Sequence, residues 1–256
     1  MSVRPKKQLG QHFLTDANIL GVIGRLAELD ENDVALEVGP GLGVLTAYLA
    51  DRVAHVHAVE LDRSLEPQLA AVASQPNVDV HWGDALALDL AAFRPSPTKL
   101  VANLPYNVAT PIVAESLSGL PSVELWCVMV QREVADRFFA QPSTKAYGAV
   151  SVLIQLAARR TGFYPVARTV FRPPPNVDSA LVAFRRVPLP DRFDRIKEIV
   201  EAAFAHRRKT LPNSVALAGL AERERTATAL ETIGRPPETR AEALEPAEFV
   251  ALAEAL

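Results

Sequence analysis

The alternation of apolar strands with amphipathic helices along the first two-thirds of the chain constrains its fold more than any other feature. Residues 34–38, 55–60, 78–82, 99–102 and 123–130 are apolar or β-branched runs of strand length. Helical patterns lie between them. Asp16 stands where it can cap a helix with Ile19, Leu20, Ile23 and Leu26 on one face, and Leu45, Tyr48 and Leu49 mark a second helix. Such an order predicts an α/β fold with a mostly parallel sheet covered on both faces. Ligands of sheets of this kind bind outside the carboxyl ends of the strands, near the point where strand order reverses.

Later segments read differently. Residues 163–171 and 180–187 are two β-prone runs that look antiparallel, separated by Arg172-Pro173-Pro174-Pro175-Asn176. Pro188-Leu189-Pro190 reads as a linker. Beyond it Phe193, Ile196, Ile199, Val200, Ala203 and Phe204 trace one helical face, Gly234 stops a later helix, and Pro246 opens another. The expected division is a catalytic domain over 1–188 and a small all-helical domain over 191–256. The length of 256 residues suits one large domain with such an appendage.

Directly after the 34–38 run comes Gly39-Pro40-Gly41-Leu42-Gly43, which opens a helix. Glycines there let the backbone approach a ligand closely. Glu60 ends the next strand, 21 residues beyond Gly39, where an acid can accept from both hydroxyls of a ribose. The spacing is not that of dinucleotide binders, and Pro40 removes an amide donor that a pyrophosphate would want. A nucleoside without phosphates suits the loop better, and S-adenosylmethionine is such a ligand. Asp84, at the end of the third strand, can accept the amino group of the cofactor's adenine.

Asn103-Leu104-Pro105-Tyr106 follows the fourth strand. The N6 of adenine is a poor nucleophile because its lone pair is delocalised into the ring. Two acceptors aimed at its hydrogens, the Asn103 side-chain oxygen and the Leu104 carbonyl, favour the pyramidal shape it needs for attack. Pro105 biases Leu104 toward an extended conformation, and Tyr106 offers a ring on which a base stacks. No strong base is required before attack, so catalysis is mostly positioning and electrostatics. Phe171 is expected as a second ring on the other face of a flipped base, with a core phenylalanine as the competing reading.

Taken in order, Gly10-Gln11-His12-Phe13-Leu14, Glu37-Val38-Gly39-Pro40-Gly41-Leu42-Gly43 and Asn103-Leu104-Pro105-Tyr106-Asn107 resemble the ribosomal RNA adenine N6,N6-dimethyltransferases, and among these the small-subunit enzymes. The stretches 131–138, 145–148, 171–180 and 207–214 support the resemblance, which covers nearly the whole chain. It implies a Rossmann-like class I methyltransferase with a seven-stranded sheet, a helical C-terminal domain that binds RNA, and S-adenosylmethionine as methyl donor. The implied reaction is transfer of two methyls to each of two adjacent adenines in a hairpin near the 3′ end of small-subunit rRNA, during ribosome biogenesis. His12 and the Leu14 backbone match positions that close the cofactor site. Gly39, Glu60, Asp84 and Asn103 match its other contacts, and Asn103 and Tyr106 the catalytic positions, beside Gly41 of the glycine loop and the Leu104 carbonyl as read above. Two departures stand out: His12 where many members carry Asn, and Pro212 where the tail motif usually has Arg.

The net charge of −3 is unusual for an RNA binder, but the basic residues are grouped. Arg4, Lys6 and Lys7 form one group, Arg159, Arg160, Arg168 and Arg172 a second, and Arg207, Arg208 and Lys209 a third, expected to follow an RNA backbone. The expected partner is small-subunit rRNA, naked or in a pre-30S particle, met by a cytoplasmic monomer. No 18-residue apolar run is present, so no membrane span is expected. Cys127 reads as a buried core thiol. His55 and His57 are expected to share one face of a strand with no acidic or third ligand accompanying them, so no metal site is expected. Two rival readings are a large-subunit enzyme of the macrolide-resistance type and a ribosome-assembly factor that has lost catalysis.

Overall fold

The computed structural model describes residues 5–6 and 11–256. Arg4 and Lys7 of the first basic group, and Gly10 of the first motif, lie outside the described residues. Nine strands are assigned among those described: β1 (Phe13–Leu14), β2 (Val34–Val38), β3 (His55–Glu60), β4 (Val78–Trp82), β5 (Lys99–Asn103), β6 (Leu125–Gln131), β7 (Ala158–Val166), β8 (Phe171–Arg172) and β9 (Ser179–Arg186). Seven form one sheet in the order β4-β3-β2-β5-β6-β9-β7. β4, β3, β2, β5 and β6 run parallel, and β9 returns antiparallel to β6. The strand order reverses between β2 and β5, so their carboxyl ends frame the crevice where α/β sheets take ligands.

The helices of the sheet follow from local chemistry. Asp16 accepts from the amide of Asn18 at 2.7 Å and caps α1 (Ala17–Leu26), which buries Ile19, Leu20 and Ile23. Gly43, at φ 76°, starts α2 (Val44–Ala50). α3 (Glu66–Ala73) and α4 (Ala109–Gly119) each come after a strand, and α5 (Arg132–Phe138) follows β6 directly. The central strands β2, β5 and β6 are apolar through most of their length because both faces are covered. Cys127 is buried in β6, which pushes its thiol up to about 12.

The 163–171 run does not form one strand. β7 ends at Val166, a 3-10 turn spans Arg168–Val170, and the remainder is the two-residue β8, which pairs with β1 rather than with β9.

The internal contacts divide the chain into two compact units, residues 1–135 with 160–186, and residues 136–159 with 187–256. The expected boundary at the 188–190 linker therefore meets a second crossing: residues 136–159 group with the helical tail. The reason is α6 (Ala149–Ala157), apolar nearly all round, which packs against α7 (Phe193–Ala205) and α10 (Pro246–Ala255). In the same unit Tyr147 is fully buried and donates to the carbonyl of Leu244 at 2.8 Å. α8 (Leu211–Leu217) and α9 (Arg223–Thr232) complete it, with Gly234 at φ 77° beyond α9.

Candidate active site

A cleft of about 1060 Å³, open mouth included, lies at the carboxyl ends of β2, β3, β4 and β5. Its floor is the glycine loop. Gly39, Gly41 and Gly43 all hold positive φ, at 78°, 60° and 76°. A Cβ on Gly39 would stand 3.1 Å from Pro105 Cγ, and one on Gly41 would stand 3.0 Å from Phe13. The loop thus lies directly against the tetrapeptide on one side and against β1 on the other.

Glu60 is 6% exposed and bridges this loop to the next. The Gly41 amide donates to its Oε2 at 3.2 Å, and the Asp62 amide donates to its Oε1 at 2.8 Å. Burial raises its pKa, and these amide bonds work against the rise. Asp84 is exposed at the cleft wall, with Oδ1 accepting from the Leu86 amide at 2.9 Å. Glu37 lines the cleft from β2 and is 1% exposed. Burial lifts its pKa to about 8 against the bond donated by Thr46 Oγ1 at 2.7 Å. Sequence reasoning gives Glu37 no role of its own, although a charged residue inside an otherwise apolar strand is the available signal.

Asn103 ends β5 in the cleft wall. Its Nδ2 donates to the carbonyl of His12 at 3.1 Å. That carbonyl can only accept, so the amide orientation is fixed and Oδ1 remains available as an acceptor. Leu104 is buried, and its amide donates to the Met129 carbonyl at 3.0 Å. The Tyr106 hydroxyl meets Ser179 Oγ at 2.6 Å, which anchors the ring from β9. Ser179 is a further residue to which the sequence assigns no role; its 73-residue separation from Tyr106 hides the pairing.

The segment carrying His12 is strapped down at several points. His12 Nδ1 donates to the Pro173 carbonyl at 2.8 Å, and its ring lies 5.4 Å from that of Tyr106. Leu14 pairs with Phe171, and Thr15 bonds the Val170 carbonyl through its amide at 2.9 Å and its hydroxyl at 3.1 Å. Lys6 and Gln11 both reach Asp62, at 2.6 and 2.9 Å. Burial opposes the Asp62 charge, but the bonds from Lys6, Ser64 and Gln11 prevail and hold its pKa well below the usual carboxylate range.

Phe171 departs from expectation. It is 1% exposed, sits in the core cluster with Ile19, Ile23 and Leu181, and is absent from the cleft lining. Buried on that side, it has no free face for a base, and the core reading prevails. Arg207 also holds the fold together. Its guanidinium donates to the Tyr147 carbonyl at 2.8 Å and lies 3.7 Å from Glu242. Arg208 and Lys209 are exposed beside it. Arg168 pairs with Asp178 at 2.6 Å, while Arg172 is exposed.

The cleft lining favours a particular kind of ligand. Among the described residues that line it are three carboxylates, Glu37, Glu60 and Asp84, and no lysine or arginine. A phosphate would meet no lysine or arginine among these described residues. A phosphate-free nucleoside with positive charge fits this donor and acceptor set.

A family model described as ribosomal RNA adenine dimethylase matches residues 3–256. The chain is 50% identical to "Ribosomal RNA small subunit methyltransferase A" of Rubrobacter xylanophilus, over 97% of this chain and 94% of that protein. It is 44% identical to the protein of the same name in Lactiplantibacillus plantarum, over 98% and 90%. Among solved structures, a dimethyladenosine transferase from Plasmodium falciparum shares the fold with a TM-score of 0.76 at 24% identity, covering 94% of this chain and 96% of that one. The 23S rRNA methyltransferase ErmE matches with a TM-score of 0.65 at 29% identity, covering 95% and 99%.

Proposed function

The chain belongs to the ribosomal RNA adenine dimethylase family, and from that premise we propose that its cleft takes S-adenosylmethionine as methyl donor and a flipped adenine of small-subunit rRNA as acceptor. The chain is an rRNA adenine dimethyltransferase of the small-subunit type. The finer assignment is to the N6 amines of two adjacent adenines in the 3′-terminal hairpin.

When bound, S-adenosylmethionine supplies a methyl group on a positively charged sulfur. Glu60 would hold its ribose and Asp84 its adenine amine, with Gly39 and Gly41 giving the backbone clearance and His12 and Leu14 the closing edge. Asn103 Oδ1 and the Leu104 carbonyl accept from the two N6 hydrogens of the target and draw its lone pair out of the ring. Tyr106 stacks the base. The observation that carries this reading is the Asn103-to-His12 bond, which commits the amide nitrogen and leaves the oxygen for the substrate. Once methylated, the nitrogen is acidic enough to lose its proton to water, so no buried general base is assigned.

Exposed Arg208 and Lys209, with Arg172, are assigned to the RNA backbone, so binding weakens as salt rises. The enzyme acts as a monomer in the cytoplasm, where small subunits assemble; no helix among the described residues is long and apolar enough to cross a membrane.

The test is to map labelled methyl groups on rRNA from cells lacking and expressing the chain, and to offer both purified subunits to the pure protein. Label on the 3′-terminal hairpin of the small subunit is expected. Label confined to the large subunit overturns the assignment.

A further inference from the structure

His55 and His57 do not stand alone in the fold. β3 pairs with β4 in a register that sets His57 opposite Asp79 and Val59 opposite His81, so four potential ligands gather on one face of two strands. His55 Nε2 lies 3.0 Å from Asp79 Oδ2, and His57 Nδ1 lies 3.9 Å from the same oxygen. The ligand atoms of these three residues all fall within 4.8 Å of one another. His81 Nε2 lies 3.1 Å from His57 Nδ1 and extends the group. The order of residues along the chain hides the third ligand and the acid because both sit on the neighbouring strand.

We propose that His55, His57 and Asp79, with His81 beside them, form a structural binding site for a transition-metal dication of the zinc class. Ligand atoms about 2 Å from a tetrahedral Zn²⁺ lie roughly 3.3 Å apart, and the separations of 3.0, 3.1 and 3.9 Å bracket that value. Imidazole and carboxylate donors select zinc, cobalt or nickel over magnesium or calcium, which take oxygen shells.

The support around the ligands matches the chemistry. His57 Nε2 donates to the Pro95 carbonyl at 2.9 Å, which places the ring proton there and leaves the Nδ1 lone pair facing the cluster. The Phe93 ring stacks on His81 at 3.9 Å and holds it in place. Asp79 has a half-exposed side chain, which gives an ion a path in from solvent.

The site is distinct from the cleft. β3 carries Glu60 at its carboxyl end and His55 at its other end. β4 is an edge strand of the sheet, so an ion bound here would clip that edge to its neighbour. The benefit is stability rather than chemistry.

The test uses the full chain after chelator treatment, titrated with ZnCl2 and separately with CoCl2. Expected are one zinc per chain, a Tm rise of several degrees in excess zinc, and cobalt absorption in the visible range typical of a tetrahedral site. The double variant His55→Ala/Asp79→Asn, both at positions with solvent contact, should keep its fold and lose at least tenfold in zinc affinity together with the Tm rise. His57→Gln gives a second, buried variant with the same expected loss. A chain that takes up no zinc at micromolar concentration overturns the proposal, leaving a hydrogen-bonded histidine cluster only. So does zinc binding that survives the double variant unchanged.

Discussion

Asn103 donates its side-chain amide to the backbone carbonyl of His12 at 3.1 Å, joining the end of the fourth parallel strand to a segment 91 residues earlier. The bond does two things. It aims the amide oxygen of Asn103, and it ties the segment carrying His12 to the residue proposed to position the acceptor amine. Asn103→Ala should therefore lower single-turnover methyl transfer by about 10²–10³-fold, the range for losing one aimed polar group. Asn103→Asp keeps an acceptor but sets a carboxylate against a carbonyl, and should fail similarly. Rapid-quench assays on purified small subunits check both; near-normal turnover in Asn103→Ala would mean another group positions N6.

Glu60 accepts from two backbone amides on separate loops. Glu60→Gln turns one of those acceptors into a donor, so one amide bond becomes a clash of donors. Affinity for S-adenosylhomocysteine should fall by about ten- to a hundredfold, as for a lost charged hydrogen bond with a stranded partner. Calorimetric titration reads this directly, and an unchanged Kd removes Glu60 from the ribose.

For Tyr106 the ring and the hydroxyl separate cleanly. Tyr106→Phe loses the Ser179 bond, and should cost about 1 kcal/mol of stability while keeping most activity. Tyr106→Ala removes the proposed stacking platform and should raise the KM for RNA by about 5- to 150-fold, the equivalent of about 1–3 kcal/mol. Equal activity losses in the two variants would assign the effect to the hydroxyl instead.

Glu37 sets a pH dependence. The unfolded carboxyl titrates at its ordinary value of 4.5, and burial lifts the folded one to about 8. Between those values the folded chain holds a proton that the unfolded chain has lost. Stability from this group is thus complete below pH 4.5, declines as pH rises, and is gone above pH 8. Glu37→Gln should flatten that part of the curve, seen as a smaller drop in Tm between pH 5 and pH 8 than the unaltered chain shows. An equal drop in both would place the slope elsewhere.

The parallel core is legible in the sequence because its signals are local. The 34–38, 55–60 and 78–82 runs coincide with β2, β3 and β4, Asp16 caps the helix it precedes, and Asn103 sits at a strand end beside the glycine loop. The features that are not legible depend on pairing across distance. Phe171 reads from the sequence either as a second stacking ring or as a core residue, and the choice lies in strand pairing: a strand turns alternate residues to opposite faces, and it is Arg172 that β8 leaves exposed. The Lys6 and Gln11 bonds to Asp62 span 56 and 51 residues and follow no periodicity. Asp79 and His81 reach His57 through strand register, which one strand's sequence does not encode. The grouping of α6 with the helical tail is hidden for a like reason, since an all-apolar helix does not say which neighbour will cover it.

The contact between Gly39 and Pro105 acts as a fixed gauge. With no side chain on Gly39 and only the rigid Pro105 ring facing it, the separation of the proposed donor loop from the proposed acceptor peptide is inherited from the spacing of two strands, about 4.8 Å. No rotamer change can widen it. An amine that already carries one methyl is bulkier than the first substrate, and this wall cannot yield to it. Under the proposed assignment, room for the second transfer has to come from elsewhere in the pocket, and Tyr106, held through a single side-chain bond to Ser179, is the neighbouring group that can give.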